Sequence, residues 1–329
     1  MKTKERIFYY DFLRAFAIIA VIICHIMIFF GPATTLAEKI FQLTIHDIGR
    51  MGVPIFLMIS GALLLTKDYD LKTFLKKRFA RIIYPFIFWM ILILLTIHLY
   101  GGNSKYLWNI FIGNQSVTWY FWTLIGIYLF IPLIRSFIKD HGDEGLKYFL
   151  VIWFITIILN TFHSYPLWPF FDLNLFAGYV GYPILGYYLN TREFSLSNRK
   201  VSLIALAVTV ISMIAYVIFT YHTNLSTLTI TYLNVPMVFL ASGMFMFAKH
   251  FDGLNSINSK IKDGITSISV CSYGMYFSHV IVLKWITAYN PHSDLMVPVF
   301  LILTVFLSWL PVYVMSKIPY LKKVSGGLI

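Results

Sequence analysis

Arg14 and His25 stand at the two ends of RAFAIIAVIICH, with ten apolar residues between them. On an α-helix, eleven residues turn through about 1100°, so both side chains share one face, about 16 Å apart along the axis. An ionised side chain at the centre of a bilayer costs about 3 kcal/mol or more, which makes such residues candidates for function. A neutral imidazole can take a proton near pH 7, and a guanidinium can steady negative charge as it develops. The plain alternatives stay open: a snorkelling arginine paired with Asp11 three residues earlier, and a core histidine bonded to a neighbouring helix.

Further candidates follow along the chain. Arg50 opens GRMGVPIFLMISGALL, with His46 and Asp47 close by; it is either an interface arginine or a second cation for the same chemistry. Gly52, Pro54, Ser60 and Gly61 in that stretch predict close helix packing. His279 lies deep in SYGMYFSHVIVLKW, whereas Lys284 can reach the interface. Trp119, Tyr120 and Trp122 start another apolar run and fit an aromatic belt. In TKDYDLKTFLKKRFARIIYP, Arg78 and Arg81 are three apart, so on a helix they project to one side. Two guanidinium forks on one face suit a phosphate or pyrophosphate, with Lys77 adjacent; contact with anionic lipid is the alternative. Cys24 and Cys271 sit inside apolar runs and read as small buried residues, not as a disulfide or metal site.

The elements that must carry these residues are legible in the composition. The 329 residues are 59% hydrophobic and only 12% charged, against roughly 25% charged in a soluble domain. Apolar runs continue for about twenty residues, which predicts an all-α polytopic membrane bundle and excludes a β-barrel of alternating ten-residue strands. MKTKER and the run after it read as a retained first span, since an arginine interrupts the run and no small-residue cleavage site follows. We count ten spans, near 8–30, 48–66, 82–99, 119–138, 147–163, 173–189, 201–221, 228–248, 266–288 and 296–316. With both termini inside, 21 of the 26 Lys and Arg fall in inside segments and only Lys39 and Lys105 fall outside. That split follows the positive-inside rule and predicts an N-in, C-in protein. The formal charge of +12 lies in short clusters between apolar runs, which argues against nucleic acid as a partner.

As an ordered set, these features resemble the acyltransferase-3 family. The resemblance rests on Asp11, Arg14 and His25, on the stretch from Arg50 to Gly61, and on Arg78 and Arg81 ahead of Pro85. It continues with Trp119 and Tyr120, then Ser272, Tyr273, Tyr276 and His279. It spans nearly the whole chain and implies one membrane-embedded acyltransferase domain over residues 1–329, with no extracellular esterase-like domain. Members resembling it move an acyl group, often acetyl from acetyl-CoA, onto a hydroxyl of an envelope carbohydrate. The resemblance thus implies acetyl-CoA or another short acyl-CoA as co-substrate, no metal, a carbohydrate acceptor, membrane lipid around the protein, and a prokaryotic plasma membrane; a homodimer stays open. It casts His25, Arg14 and Arg50 in the catalytic roles, Arg78, Arg81 and Lys77 at the donor, and Asp11, His279, Trp119 and Tyr120 as substrate-binding or orienting groups. Family members also carry an acidic residue in span four; Thr123 to Tyr128 has none here, so no such role carries over. The competing expectation is a polysaccharide or lipid-linked sugar exporter without acyl transfer, and a third is a structural subunit that binds no CoA.

Overall fold

The computed structural model describes residues 6–28, 35–101, 104–113, 117–161, 178–222, 232–287 and 296–327, and no strand occurs among them. The chain forms α1 (Phe8–Met27), α2 (Leu36–Arg50), α3 (Gly52–Leu64), α4 (Leu71–Leu99), α5 (Ser104–Phe111) and α6 (Trp119–Thr161). Then follow α7 (Gly181–Thr191), α8 (Asn198–His222), α9 (Val235–His250), α10 (Ser259–Thr287), α11 (Val297–Lys317) and the short α12 (Lys322–Ser325). Among the described residues seven stretches are long and apolar enough to cross a bilayer, and α9 is a shorter apolar helix. Each of the ten predicted spans contains one of these helices or part of one, so the protein is an all-α polytopic membrane bundle. Lys2, Lys4 and His163, and the first residues of the spans at 173–189 and 228–248, lie outside the described residues.

The outer surface has the character of a lipid-facing one. On α4, Ile87, Ile91 and Leu95 are about half exposed and fall four residues apart, on one face. Ile211, Ile214 and Ile218, three and four residues apart, form a similar exposed face on α8. Inside, α1 is the hub and packs against α2, α3, α10 and α11.

Two boundaries differ from the sequence expectation, each for a local reason. Arg50 does not open a helix. Thr35 and Glu38 form a capping box, each side chain accepting from the other's backbone N–H at 3.2 Å, and this starts α2 at Leu36, well before Arg50. Arg50 therefore stands in the last turn of α2, just before the chain passes through Met51 into α3. The basic segment is also helical: Asp70 caps it by accepting from Thr73 N–H at 3.0 Å, so α4 begins at Leu71 and carries Arg78 and Arg81 on its basic end. That backbone hydrogen bond, together with one from the Thr73 side chain, holds the Asp70 carboxyl below its usual range. As expected, the spans near 119–138 and 147–163 are two helices; both carry the label α6 and join at a break where Gly142 adopts φ 56°.

Close backbone approach fixes α3 against α7. A Cβ on Gly61 would stand 1.8 Å from the Pro183 carbonyl oxygen, and one on Gly186 2.2 Å from that of Met58. Gly61→Ala is expected to push these helices apart and to cost about 1–3 kcal/mol. Gly126→Ala is the matched control, because nothing lies within 4 Å of its would-be Cβ. Thermal unfolding in detergent checks the pair, with a lowered midpoint expected for Gly61→Ala alone.

Candidate active site

A cavity of about 560 Å³ opens at the end of the bundle that carries the basic loops. Its cations come from four places in the chain: Arg14 on α1, Lys67 before α4, Arg78 and Arg81 on α4, and Lys322 and Lys323 on α12. Among the described residues no carboxylate side chain lines it. The spacing on α4 brings Arg78 and Arg81 to the cavity as the sequence predicts, with Arg78 also 5.8 Å above the Phe74 ring. Lys77 is exposed and is not part of the wall. Arg135 shapes the mouth by donating to the carbonyls of Lys67 (3.0 Å) and Tyr69 (2.8 Å), which pins the turn ahead of α4.

The expected pairing of Asp11 with Arg14 is present, but a second arginine holds the carboxylate more closely. Arg6 takes both oxygens of the Asp11 carboxylate, at 2.5 and 2.7 Å, and the Ser269 hydroxyl donates to it at 2.7 Å. Arg14 approaches only to 3.9 Å. A carboxylate prefers the partner that can reach it as a planar fork. Arg6, in the segment before α1, can do so. Arg14 instead presents its guanidinium to the cavity with 21% of the side chain exposed. Asp11 thereby ties α1 to α10.

Deeper in, the cavity becomes aromatic. Tyr120, Tyr128, Tyr273 and Tyr276 line it with Phe56. The Tyr120 and Tyr276 rings are 5.1 Å apart, and the Tyr276 hydroxyl donates to the Val117 carbonyl at 2.7 Å. The Tyr276 ring lies 5.9 Å from that of His279, edge to face. One aromatic ring thus separates the cavity from a pair of histidines.

His25 from α1 and His279 from α10 meet, with His279 Nε2 3.3 Å from His25 Nδ1. His279 is fully buried. Its Nδ1 lies 3.0 Å from the Met275 carbonyl, and His25 Nδ1 lies 2.8 Å from the Val21 carbonyl. A carbonyl oxygen only accepts, so each Nδ1 carries the proton and each Nε2 a lone pair. His279 Nε2 then accepts a share of the His25 Nδ1–H. The arrangement leaves His25 Nε2 as the one nitrogen of the pair with a lone pair and no partner inside the pair. Such an atom can take a proton. The charge gained would be shared with the Val21 carbonyl and His279 through Nδ1.

Arg50 stands on the other side of this pair. It hydrogen-bonds the Tyr216 hydroxyl and lies 5.9 Å above the Tyr232 ring. Both Arg50 and His46 are near enough to act electrostatically on His25. The His46 ring is 3.6 Å from the buried carboxylate of Asp47. Trp119 faces this side, with ring centres 5.3 Å from Tyr179 and 5.2 Å from Tyr232. The adjacent Trp119 and Tyr120 therefore serve different spaces. Cys24 and Cys271 are free and buried, and among the described residues no three His, Cys, Asp or Glu side chains gather as a metal site would require.

Sequence reasoning missed Lys67, Lys322, Lys323, Tyr128 and Tyr216. Lys67, Lys322 and Lys323 were visible as inside charges, but charge counting does not say which loops converge. The tyrosines carry no signal that separates them from the other 20 in the chain.

Comparison with known proteins bears on what this arrangement does. A family profile described as "Acyltransferase domain" matches residues 7–313, which contain every candidate residue named from the sequence. A protein of Acidianus two-tailed virus named "Putative acetyltransferase ORF330" is 27% identical over 251 residues, 69% of this chain and 72% of that protein. No solved structure matches.

Proposed function

The chain belongs to the acyltransferase-3 family, and from that premise we propose that it transfers an acyl group, acetyl in the first instance, from cytoplasmic acyl-CoA to a hydroxyl of a cell-surface or lipid-linked carbohydrate, with His25 as the general base. The observation that carries the reading is how near the basic cavity comes to the histidine pair: cations at the mouth, tyrosines further in, then the Tyr276 ring standing between the cavity and His279 with His25. A phosphorylated nucleotide with a long neutral arm and a reactive thioester at its tip has that same order of chemistries.

In this reading Arg78 and Arg81 hold donor phosphates, and Arg14 contacts the arm where it enters the aromatic section. The acceptor hydroxyl approaches from the side of Trp119 and Arg50. His25 Nε2 removes its proton as the oxygen attacks the thioester carbon. The carbon–sulfur bond then breaks, and the proton passes from His25 to the CoA thiolate, giving an ester and free CoA. Arg50 steadies the tetrahedral oxyanion, and His279 holds the His25 ring in the productive orientation. The protein sits in a prokaryotic plasma membrane with both termini in the cytoplasm, so that donor and acceptor reach the histidines from opposite faces.

The test is transfer of labelled acetyl from acetyl-CoA into envelope material by membranes containing the protein. Incorporation is expected; none with any short acyl-CoA, in membranes that contain the acceptor, would overturn the reading and favour export. In the same assay His279→Ala is expected to lower kcat by about 10- to 100-fold with little change in the KM for acetyl-CoA, as fits a positioning residue. A change confined to KM would instead put His279 in donor binding.

A further inference from the structure

Beyond α11, which ends at Lys317, the chain turns back and lays α12 between α4, α10 and α11. Buried contacts hold it there. Trp89 Nε1 donates to the Ser325 carbonyl at 3.0 Å, and Ser325 is fully buried. Gly326 ends the helix with φ 82°, a conformation open to glycine at little cost. Its backbone fits against α10 only because Gly274 has no side chain: a Cβ there would stand 2.2 Å from the Ser325 oxygen. The four-residue helix thus has an anchor as specific as that of any long helix in the bundle. It carries Lys322 and Lys323 into the cavity wall, alongside Gly326 and Gly327. A lysine pair that only touched lipid headgroups would need no such seat.

Four of the cavity's six cations form two chemically different pairs, apart from Arg14 and Lys67. Arg78 and Arg81 are planar forks one helical turn apart, suited to two adjoining phosphates that share an oxygen. Lys322 and Lys323 are adjacent point charges on flexible stems, suited to a single phosphomonoester, which carries about −1.5 to −2 near neutral pH. Acyl-CoA has one of each, a diphosphate next to its pantetheine arm and a 3′-phosphate beyond it on the ribose. Building on the donor reading above, we propose that the α12 lysines bind the 3′-phosphate of the acyl-CoA donor, so that the chain's C-terminal segment selects CoA over nucleotides that lack that group.

The experiment is calorimetric titration of the full-length protein in detergent with CoA and with 3′-dephospho-CoA. The wild type is expected to bind CoA roughly tenfold or more tightly than 3′-dephospho-CoA. Lys322→Gln combined with Lys323→Gln should bring CoA down to the level of 3′-dephospho-CoA and leave the latter within about twofold of wild type. Arg78→Gln combined with Arg81→Gln should weaken both nucleotides together. Equal losses for both nucleotides in the lysine variant, or no loss, would overturn the proposal while leaving the donor reading intact. If the wild type bound neither nucleotide, the donor reading itself would fall. Unfolding midpoints measured without nucleotide guard against misfolding, and both lysines lie on the cavity wall, outside the packed core.

Discussion

His25→Ala is expected to reduce acetyl transfer by at least about 100-fold and to leave the protein inserted and folded. A positioned general base contributes typically 10²- to 10⁴-fold, and no other described group is ready to replace this one. His279 is the nearest imidazole, but its Nδ1 is committed to the Met275 carbonyl and its Nε2 faces His25. Truncating His25 removes a side chain that, among the described residues, hydrogen-bonds Val21 of its own helix and His279, so the core that α1 forms through Leu13, Ile18 and Ile22 stays intact. CoA affinity should be within about twofold of wild type, because the cations of the cavity are untouched. Labelled-acetyl transfer read beside CoA titration on the same preparation checks both halves. Activity within threefold of wild type would remove His25 as the base. Parallel loss of activity and CoA binding would point to a folding defect or a binding role.

Arg78→Ala combined with Arg81→Ala should weaken acyl-CoA binding by about 100-fold. A charge-assisted hydrogen bond to phosphate contributes about 1.5–3 kcal/mol, and tenfold in affinity corresponds to about 1.4 kcal/mol. The effect should shrink as salt rises, since both guanidiniums stand at the open end of the cavity, where ions can screen them. Lys77→Ala makes the internal comparison. It has the same charge on the same helix but is absent from the cavity wall, and it should change affinity less than about twofold. Equal effects of Lys77→Ala and the arginine substitutions would mean that the helix acts through general surface charge. In that case the pair would revert to the lipid-contact role its sequence also allows.

Several features were legible because they depend on neighbours along the chain. Helical spacing alone places Arg78 and Arg81 on one side of α4 and predicts that α1 carries Arg14 and His25 on one face. Low charge and long apolar runs fix a helical membrane bundle, since lipid offers no partner for an unpaired backbone group. The capping box at Thr35 and Glu38 was equally local, and noticing it would have placed Arg50 at the end of α2 and not at the start of a span.

Distant pairings were not legible. His25 and His279 are 254 residues apart, and nothing in either helix states that their rings meet. The contact requires α1 to pack on α10, which Asp11 and Ser269 help to fix from one end. The sequence by itself determined which residues are too polar for lipid and which end of the bundle is basic, because hydropathy and charge are sums over a local window. Only the tertiary structure decided that Lys322 and Lys323 join Arg14, Arg78 and Arg81 at one cavity, and that the cavity stops one tyrosine short of two histidines. That outcome depends on helix packing, where the absent side chains of Gly61 and Gly274 decide how closely two backbones approach.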